Sequence, residues 1–410
     1  MWSILTVATI CLLQTHRVLG QTFPMPELRP VLDILDEWPV IDVQIPHLPN
    51  IHQGSMARLD YQTQIKEAVL YREQGIPFVL INVPEATKLA QTWTDDYLST
   101  LFGEAVINTH VSQTGQFLFE DKKRQKKKKS KKRRRRSRLG SHGLSYDDAS
   151  HGRKQRRRPT RKILSVPNHL KNPVNVSSAL TGQQKHDRML LVQDDQGYQP
   201  MTFSEFQSIS TRPHSPYDKH YYFVVALNKE QLAGQALEPW KQRLGEDIQM
   251  FQHGKKSFFL ADEDANNGVN CRFGMPGIYS VAHFDFPRNA IALYKGQKRF
   301  ILAPPQYCQN IYPRSRSIAS ARHSLVDWRD PDLEKFPLFS DLQVTQVVLK
   351  AGEVLILPSY WMHFIVTVGD EISGQCNGWS GATDIGAQVI RDCGFPRAGA
   401  NTTRDYQDKH

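Results

Sequence analysis

The sequence predicts a mainly β fold with flanking helices, an α+β chain centred on an antiparallel double-sheet barrel, and three observations predict it. From Tyr279 to Gly381 short β-type runs (Ala290 to Tyr294, Arg299 to Leu302, Gln343 to Leu349, Val354 to Leu357 and Phe364 to Val368) alternate with turn residues. No helical period of useful length separates most of these runs, which argues against the βαβ repeat of a parallel sheet. The helical spacings that do occur, Arg58 to Gln74 and Thr94 to Gly103, lie upstream.

The elements follow in order. Residues 1–20 form an apolar run of about a dozen residues that ends Val18-Leu19-Gly20, the pattern of a secretory signal peptide. Its n-region has no Lys or Arg, and the alternative is a buried N-terminal helix or strand. Neither this run nor any later one reaches the roughly 20 apolar residues that span a bilayer, so no transmembrane segment is expected. Residues 21–118 supply helix and strand elements that support the barrel. Within them Pro24 to Pro49 is punctuated by proline and is expected to lie extended over the surface. A helix over Arg58 to Gln74 ends at Gly75-Ile76-Pro77 and gives way to a buried strand at Phe78 to Val83. Thr94 caps the next helix, with Asp95 and Asp96 at the positive end of its dipole and Gly103 closing it. Ala105 to His110 reads as a further strand. The barrel occupies 199–385, with strand-like Tyr221 to Ala226 near its start, and 386–410 form a C-terminal tail.

Between these parts lies 119–198, a basic, low-complexity insertion. Residues 122–162 hold 21 Lys and Arg against Asp147 and Asp148, a local +19 in a chain of 410 residues and net charge +11, so all other residues sum to −8. Like charges at that density repel and bury too little apolar area to offset the entropy of ordering, so the insertion is expected to be disordered. The open readings are a solvated loop with affinity for polyanions such as nucleic acid or heparan-like chains, a processing site for proteases that cut after paired basic residues, and a nuclear import signal. No aromatic residue interleaves the run from Lys122 to Arg138, so base stacking and specific nucleic-acid binding are not expected. The triplets at Asn175 and Asn401 fit N-glycosylation acceptors of a chain in the ER lumen or outside the cell. Without Cys11, four cysteines remain, Cys271, Cys308, Cys376 and Cys393, which permit two disulfides in three connectivities or four free buried thiols.

Chemistry concentrates in His283-Phe284-Asp285. On a strand, positions i and i+2 share a face, so an imidazole and a carboxylate converge while Phe284 points away. His363, in Leu357-Pro358-Ser359-Tyr360-Trp361-Met362-His363, offers a third ligand from a neighbouring strand. Two histidines and one carboxylate on one face of an octahedron suit non-haem Fe(II), leaving positions for a chelating cosubstrate and for O2. A His-X-Asp triplet alone is common by chance, and a lone strand histidine is more often packed core than ligand. Context raises its value.

From Ser280 to Pro305 the chain reads SVAHFDFPRNAIALYKGQKRFILAPP. This resembles the JmjC family in its cupin-like branch, most closely the asparaginyl hydroxylase that modifies hypoxia-inducible factor. Trp93 to Leu98 with Phe102-Gly103, and Met201 to Phe206, resemble the elements preceding the barrel, so the likeness covers about 58 to 115 and 200 to 385. It implies a double-stranded β-helix, or jelly roll, and an Fe(II)- and 2-oxoglutarate-dependent dioxygenase with His283, Asp285 and His363 on the metal. Lys298 matches the lysine that pairs with the distal carboxylate of 2-oxoglutarate. Asn289 and Asn377 fall where the branch places amides near the cosubstrate. Ser280 stands where a family hydroxyl donates to it, and Tyr222 at the place of a phenol that also reaches it. For Tyr222 ordinary strand packing is the alternative. The signal peptide and the insertion depart from nuclear demethylases, which favours hydroxylation of a protein or peptide substrate in the secretory pathway over demethylation in the nucleus. Two further readings stay open: a barrel that has lost catalysis and serves as a binding module, and a secreted polyanion-binding protein acting through residues 122–162.

Overall fold

The structure is a computed structural model that describes residues 23–44, 56–118, 196–212, 218–252, 257–260, 268–315 and 321–399. The expectations for the signal peptide at 1–20, the basic segment at 122–162 and the acceptors Asn175 and Asn401 lie outside the described residues.

Fifteen strands are present among the described residues: β1 Arg29–Pro30, β2 Arg58–Asp60, β3 Phe78–Ile81, β4 Ile107–Ser112, β5 Gln116–Phe117, β6 Gly197–Met201, β7 His220–Leu227, β8 Val269–Gly274, β9 Tyr279–Phe284, β10 Arg288–Lys295, β11 Gln297–Ala303, β12 Gln343–Lys350, β13 Val354–Leu357, β14 Met362–Val368 and β15 Ser373–Ser380. They form a six-stranded sheet ordered β1-β12-β11-β14-β9-β5 and a nine-stranded sheet ordered β2-β3-β13-β10-β15-β8-β7-β4-β6. The last eight strands divide evenly, with β9, β11, β12 and β14 in the first sheet and β8, β10, β13 and β15 in the second. That is the predicted double-stranded β-helix.

Strand alternation explains how the barrel fills. Ile291, Leu293, Phe300, Leu302, Val347, Leu349, Leu355 and Leu357 pack in one buried cluster drawn from both sheets. The neighbouring residues of β10 and β8, Ala290, Ala292, Tyr294, Cys271 and Phe273, pack in a second cluster with Phe102, Phe203 and Phe206 from the helices and with Trp93, which follows one. Helices at Ile65–Glu73, Pro84–Thr92, Asp95–Phe102, Phe203–Ser210 and Pro239–Asp247 thus cover the nine-stranded sheet. Thr94 caps its helix as expected, its hydroxyl accepting from Tyr97 N at 3.2 Å, and Gly103 closes it at φ 50°.

Four boundaries are corrected. The segment expected to lie extended at 24–49 contains a helix, Val31–Glu37, whose Val31, Ile34 and Leu35 are buried; Pro30 precedes its first turn, where no N–H is needed. The helix expected from Arg58 begins only at Ile65, because Arg58–Asp60 pair in parallel with β3 and the Asp60 carboxylate takes the N–H groups of Gln62 and Thr63 into a turn. The insertion expected to run to 198 yields to β6 at Gly197, paired with β4. The tail from 386 carries a helix, Ala387–Asp392, pinned to the barrel by the Cys308–Cys393 disulfide. The second pair is Cys271–Cys376, which resolves the three connectivities that spacing left open.

Candidate functional site

Strands β9 and β14 run antiparallel with His283 directly opposite His363. β9 ends at Phe284, so Asp285 stands one residue past the strand on which parity had placed it. Its backbone carbonyl accepts the Tyr360 N–H at 2.8 Å, which holds the carboxylate beside the two rings. Ligand atoms of His283, Asp285 and His363 all lie within 4.8 Å of one another. The two Nε2 atoms are 3.1 Å apart, and His363 Nε2 is 3.8 Å from Asp285 Oδ2.

The surrounding contacts aim these atoms. Nδ1 of His283 lies 2.7 Å from the Val281 carbonyl and Nδ1 of His363 lies 3.0 Å from that of Trp361. A carbonyl only accepts, so each ring carries its proton on Nδ1 and turns an Nε2 lone pair inward. Two lone pairs and a carboxylate converging on one point repel unless a cation lies between them. Adjacent ligands of a metal with bonds of about 2.1 Å stand about 3 Å apart, close to the observed spacing of the nitrogens. The donor set therefore fits a first-row divalent metal, and its composition fits Fe(II). Burial, then the neighbouring rings of His363 and His323, pushes the His283 pKa well below its ordinary value. Burial likewise lowers that of His363. For Asp285 burial works upward but is outweighed by His283, His363 and Arg322, which hold the carboxyl below the usual range. At neutral pH all three groups are ready to bind a metal without releasing protons.

Further side chains support the carboxylate. Arg322 donates to Asp285 Oδ1 at 3.1 Å, and the Trp379 indole N–H donates to Oδ2 at 2.9 Å. Arg322 takes a left-handed backbone, φ 74°. His323 stacks on His283 with centroids 4.6 Å apart and planes 19° from parallel.

The expected cosubstrate residues fall into two connected groups. Lys298, 1 % exposed, donates through Nζ to the Tyr222 hydroxyl at 3.1 Å. Burial raises the Tyr222 pKa to about 12, against smaller opposing effects of Arg272 and a hydrogen bond with Ser280. In the second group Asn377 Nδ2 donates to Asn289 Oδ1 at 3.0 Å, and Arg272 donates to Asn377 Oδ1. Arg272 joins the groups, since by strand alternation it lies on the sheet face that carries Tyr222.

Arg272, Arg322, His323 and Trp379 are the site residues that sequence reasoning missed. Two of them left a signal. Trp379 stands two residues from Asn377 on β15 and so shares its face. Arg272 is a charge between the core residues Cys271 and Phe273. For Arg322 and His323, which lie outside every named strand and helix, no local pattern exists to read.

Comparison with known proteins agrees with this geometry. The Cupin-like domain family matches residues 66–379. The chain is 29% identical over 137 residues to JmjC domain-containing protein D of Dictyostelium discoideum, covering 32% of this chain and 31% of that protein. It is 27% identical over 124 residues to tRNA wybutosine-synthesizing protein 5 of Gallus gallus, covering 30% of this chain and 35% of the relative. Similarity to HSPB1-associated protein 1 of Homo sapiens is 32% over 108 residues, 26% of this chain and 22% of that one. These matches thus span about a third or less of each relative's own length. The domain match extends over most of the chain and contains the whole His-Asp-His cluster: the chain belongs to the cupin-like domain family.

Proposed function

We propose that the chain is an Fe(II)- and 2-oxoglutarate-dependent oxygenase that hydroxylates a protein side chain in the secretory pathway. The observation that carries this is the convergence of two inward Nε2 atoms, 3.1 Å apart, with the Asp285 carboxylate beside them and the Lys298 side chain in the same buried barrel. When bound, Fe(II) would couple oxidative decarboxylation of the cosubstrate by O2 to insertion of oxygen into a substrate C–H bond. His283, Asp285 and His363 would hold it. The chain's own contribution is orientation and charge: the Val281 and Trp361 carbonyls fix the rings, Trp379 and Arg322 fix the carboxylate, and Lys298 with Tyr222 and Ser280 receives the distal carboxylate of the cosubstrate. The apolar barrel excludes water around the reacting centre.

A protein substrate accords with the relative whose name associates it with HSPB1. The secretory location rests on the apolar segment 1–20 and on the two disulfides, which persist in oxidising compartments. Residues 122–162, with their net +19, would add a polyanion contact beside the catalytic role; affinity for heparan-like chains that survives deletion of 119–165 refutes that part.

The test is an anaerobic titration with Fe(II) and 2-oxoglutarate, followed by admission of air. Charge-transfer absorption and then succinate release are expected from the wild type and absent from His283→Ala. A wild type that neither absorbs nor turns over refutes the enzyme reading. Mapping the N-terminus of secreted or lumenal material tests the location: a chain starting near Gln21 supports it, and one starting at Met1 does not.

A further inference from the structure

The strand face that carries Tyr222, which accepts from Lys298 Nζ, carries a second cation. Arg272 sits on β8 opposite Gln375 of β15 and Val224 of β7, so by strand alternation it shares a face with Tyr222 of β7 and Asn377 of β15. Asn377 Oδ1 accepts from its guanidinium, and the guanidinium lies 5.3 Å from the centroid of the Trp379 ring. These contacts hold the planar group in one pose. The Arg272 side chain is only partly exposed. Burial, and after it the Arg272 charge, disfavours the ammonium form of Lys298. Asp285, the carboxylate whose charge bears on Arg272, already accepts from Arg322 and Trp379. Two like charges enclosed in a low-dielectric chamber repel until an anion joins them.

We propose that Arg272 and Lys298 together form a two-cation receptor for a short dicarboxylate, and that Arg272 sets the chamber's preference for a doubly charged ligand over a singly charged 2-oxoacid. The inference rests on the 2-oxoglutarate reading and deepens it. A lysine is a point charge on a flexible stem and can hold a distal carboxylate alone, as the oxygenase reading requires. A guanidinium held in advance by Asn377 and Trp379 adds a rigid fork matched to a carboxylate edge. In the oxygenase reading the 2-oxoacid end would lie at the metal, so both cations close on the distal carboxylate, which 2-oxoglutarate and its product succinate each carry and 2-oxobutyrate lacks.

The experiment is calorimetric titration of the full chain loaded with Mn(II), using 2-oxoglutarate and 2-oxobutyrate, and of the metal-free chain with succinate. Arg272→Leu is expected to weaken 2-oxoglutarate and succinate at least tenfold while leaving 2-oxobutyrate within twofold. Arg272→Lys is expected to restore most of the discrimination. Arg272→Leu also leaves Asn377 Oδ1 without this donor, so a lower melting temperature is expected whichever role Arg272 has; a residue that merely braces Asn377 and Trp379 would weaken both oxoacids alike. Should Arg272→Leu not fold, Arg272→Gln supplies the same ratio. Equal affinities in variant and wild type, or equal loss for both oxoacids, overturns the inference alone. A folded wild type that binds no dicarboxylate, with or without Mn(II), overturns the oxygenase reading itself.

Discussion

Trp379→Phe isolates one hydrogen bond to a metal ligand. The indole N–H donates to Asp285 Oδ2 at 2.9 Å while Arg322 holds Oδ1 at 3.1 Å, so the variant leaves the carboxylate tethered on one side only. A hydrogen bond to a charged group contributes about 1.5–3 kcal/mol net, which at about 1.4 kcal/mol per decade corresponds to roughly 10- to 100-fold in affinity. The Asp285 side chain is 15% exposed, so water replaces part of the lost bond and the lower end applies: about tenfold weaker metal binding, in line with outer contacts at other metal sites. Phenylalanine keeps a ring face for the Arg272 guanidinium, which separates the lost donor from lost stacking. Calorimetric titration with Mn(II) at pH 7 reads the effect, and a thermal melt without metal checks the fold. Binding within twofold of wild type, in a variant with an unchanged melt, refutes the argument that Trp379 orients the carboxylate.

Arg299 donates to Gln346 Oε1 at 2.9 Å and to the carbonyls of Trp38 and Ile34 at 2.6 and 3.0 Å, so Arg299→Met, which orphans buried acceptors, is expected to cost about 3–5 kcal/mol in urea unfolding; a loss below 1 kcal/mol contradicts it. The Cys308–Cys393 bond joins residues 85 apart, and replacing both by Ser is expected to destabilise by about 4–5 kcal/mol on the chain-entropy account, read from the denaturant midpoint, with no loss if the thiols are unpaired. His283 and His363 have folded pKa values lowered from 6.5, so their contribution to stability is present above that pH and is lost as pH falls toward the folded values. The slope reaches about 1.4 kcal/mol per pH unit per histidine, and a metal-free protein equally stable at pH 7 and pH 5 refutes it.

What the sequence revealed of the site, and what it hid, follows from the range of the interactions. His283 and Asp285 were legible because strand parity is local, and the convergence survives although β9 stops at Phe284. Lys298 was legible from its distance along the chain to Asp285 in a motif with a family resemblance. The disulfides were not, because Cys271 and Cys376 meet only through the pairing of β8 with β15, in register across 105 residues. The helix at Val31–Glu37 was hidden for a related reason. The prolines that flank it and its short length argue for extended chain locally, whereas its C-terminal carbonyls are satisfied by Arg299, more than 260 residues away. Long-range partners decided each of these, and one sequence does not reveal register.

Alternation along β11 and β15 then explains how so small a set of strands serves both site and scaffold. Lys298 reaches the Tyr222 hydroxyl inside the barrel while its neighbour Arg299 turns the other way to hold the Ile34 and Trp38 carbonyls, so the site lysine and the anchor of the N-terminal helix occupy consecutive residues. On β15, Cys376 faces the helices and bonds to Cys271, whereas Asn377 and Trp379 face inward toward Arg272 and Asp285. The Arg272 to Asn377 bond is the diagonal neighbour of that cross-strand disulfide on the opposite face of the same two strands. A covalent link at that point fixes the strand separation across which Arg272 reaches Asn377. The oxidised pair therefore belongs to the architecture of the candidate site as much as to the stability of the sheet.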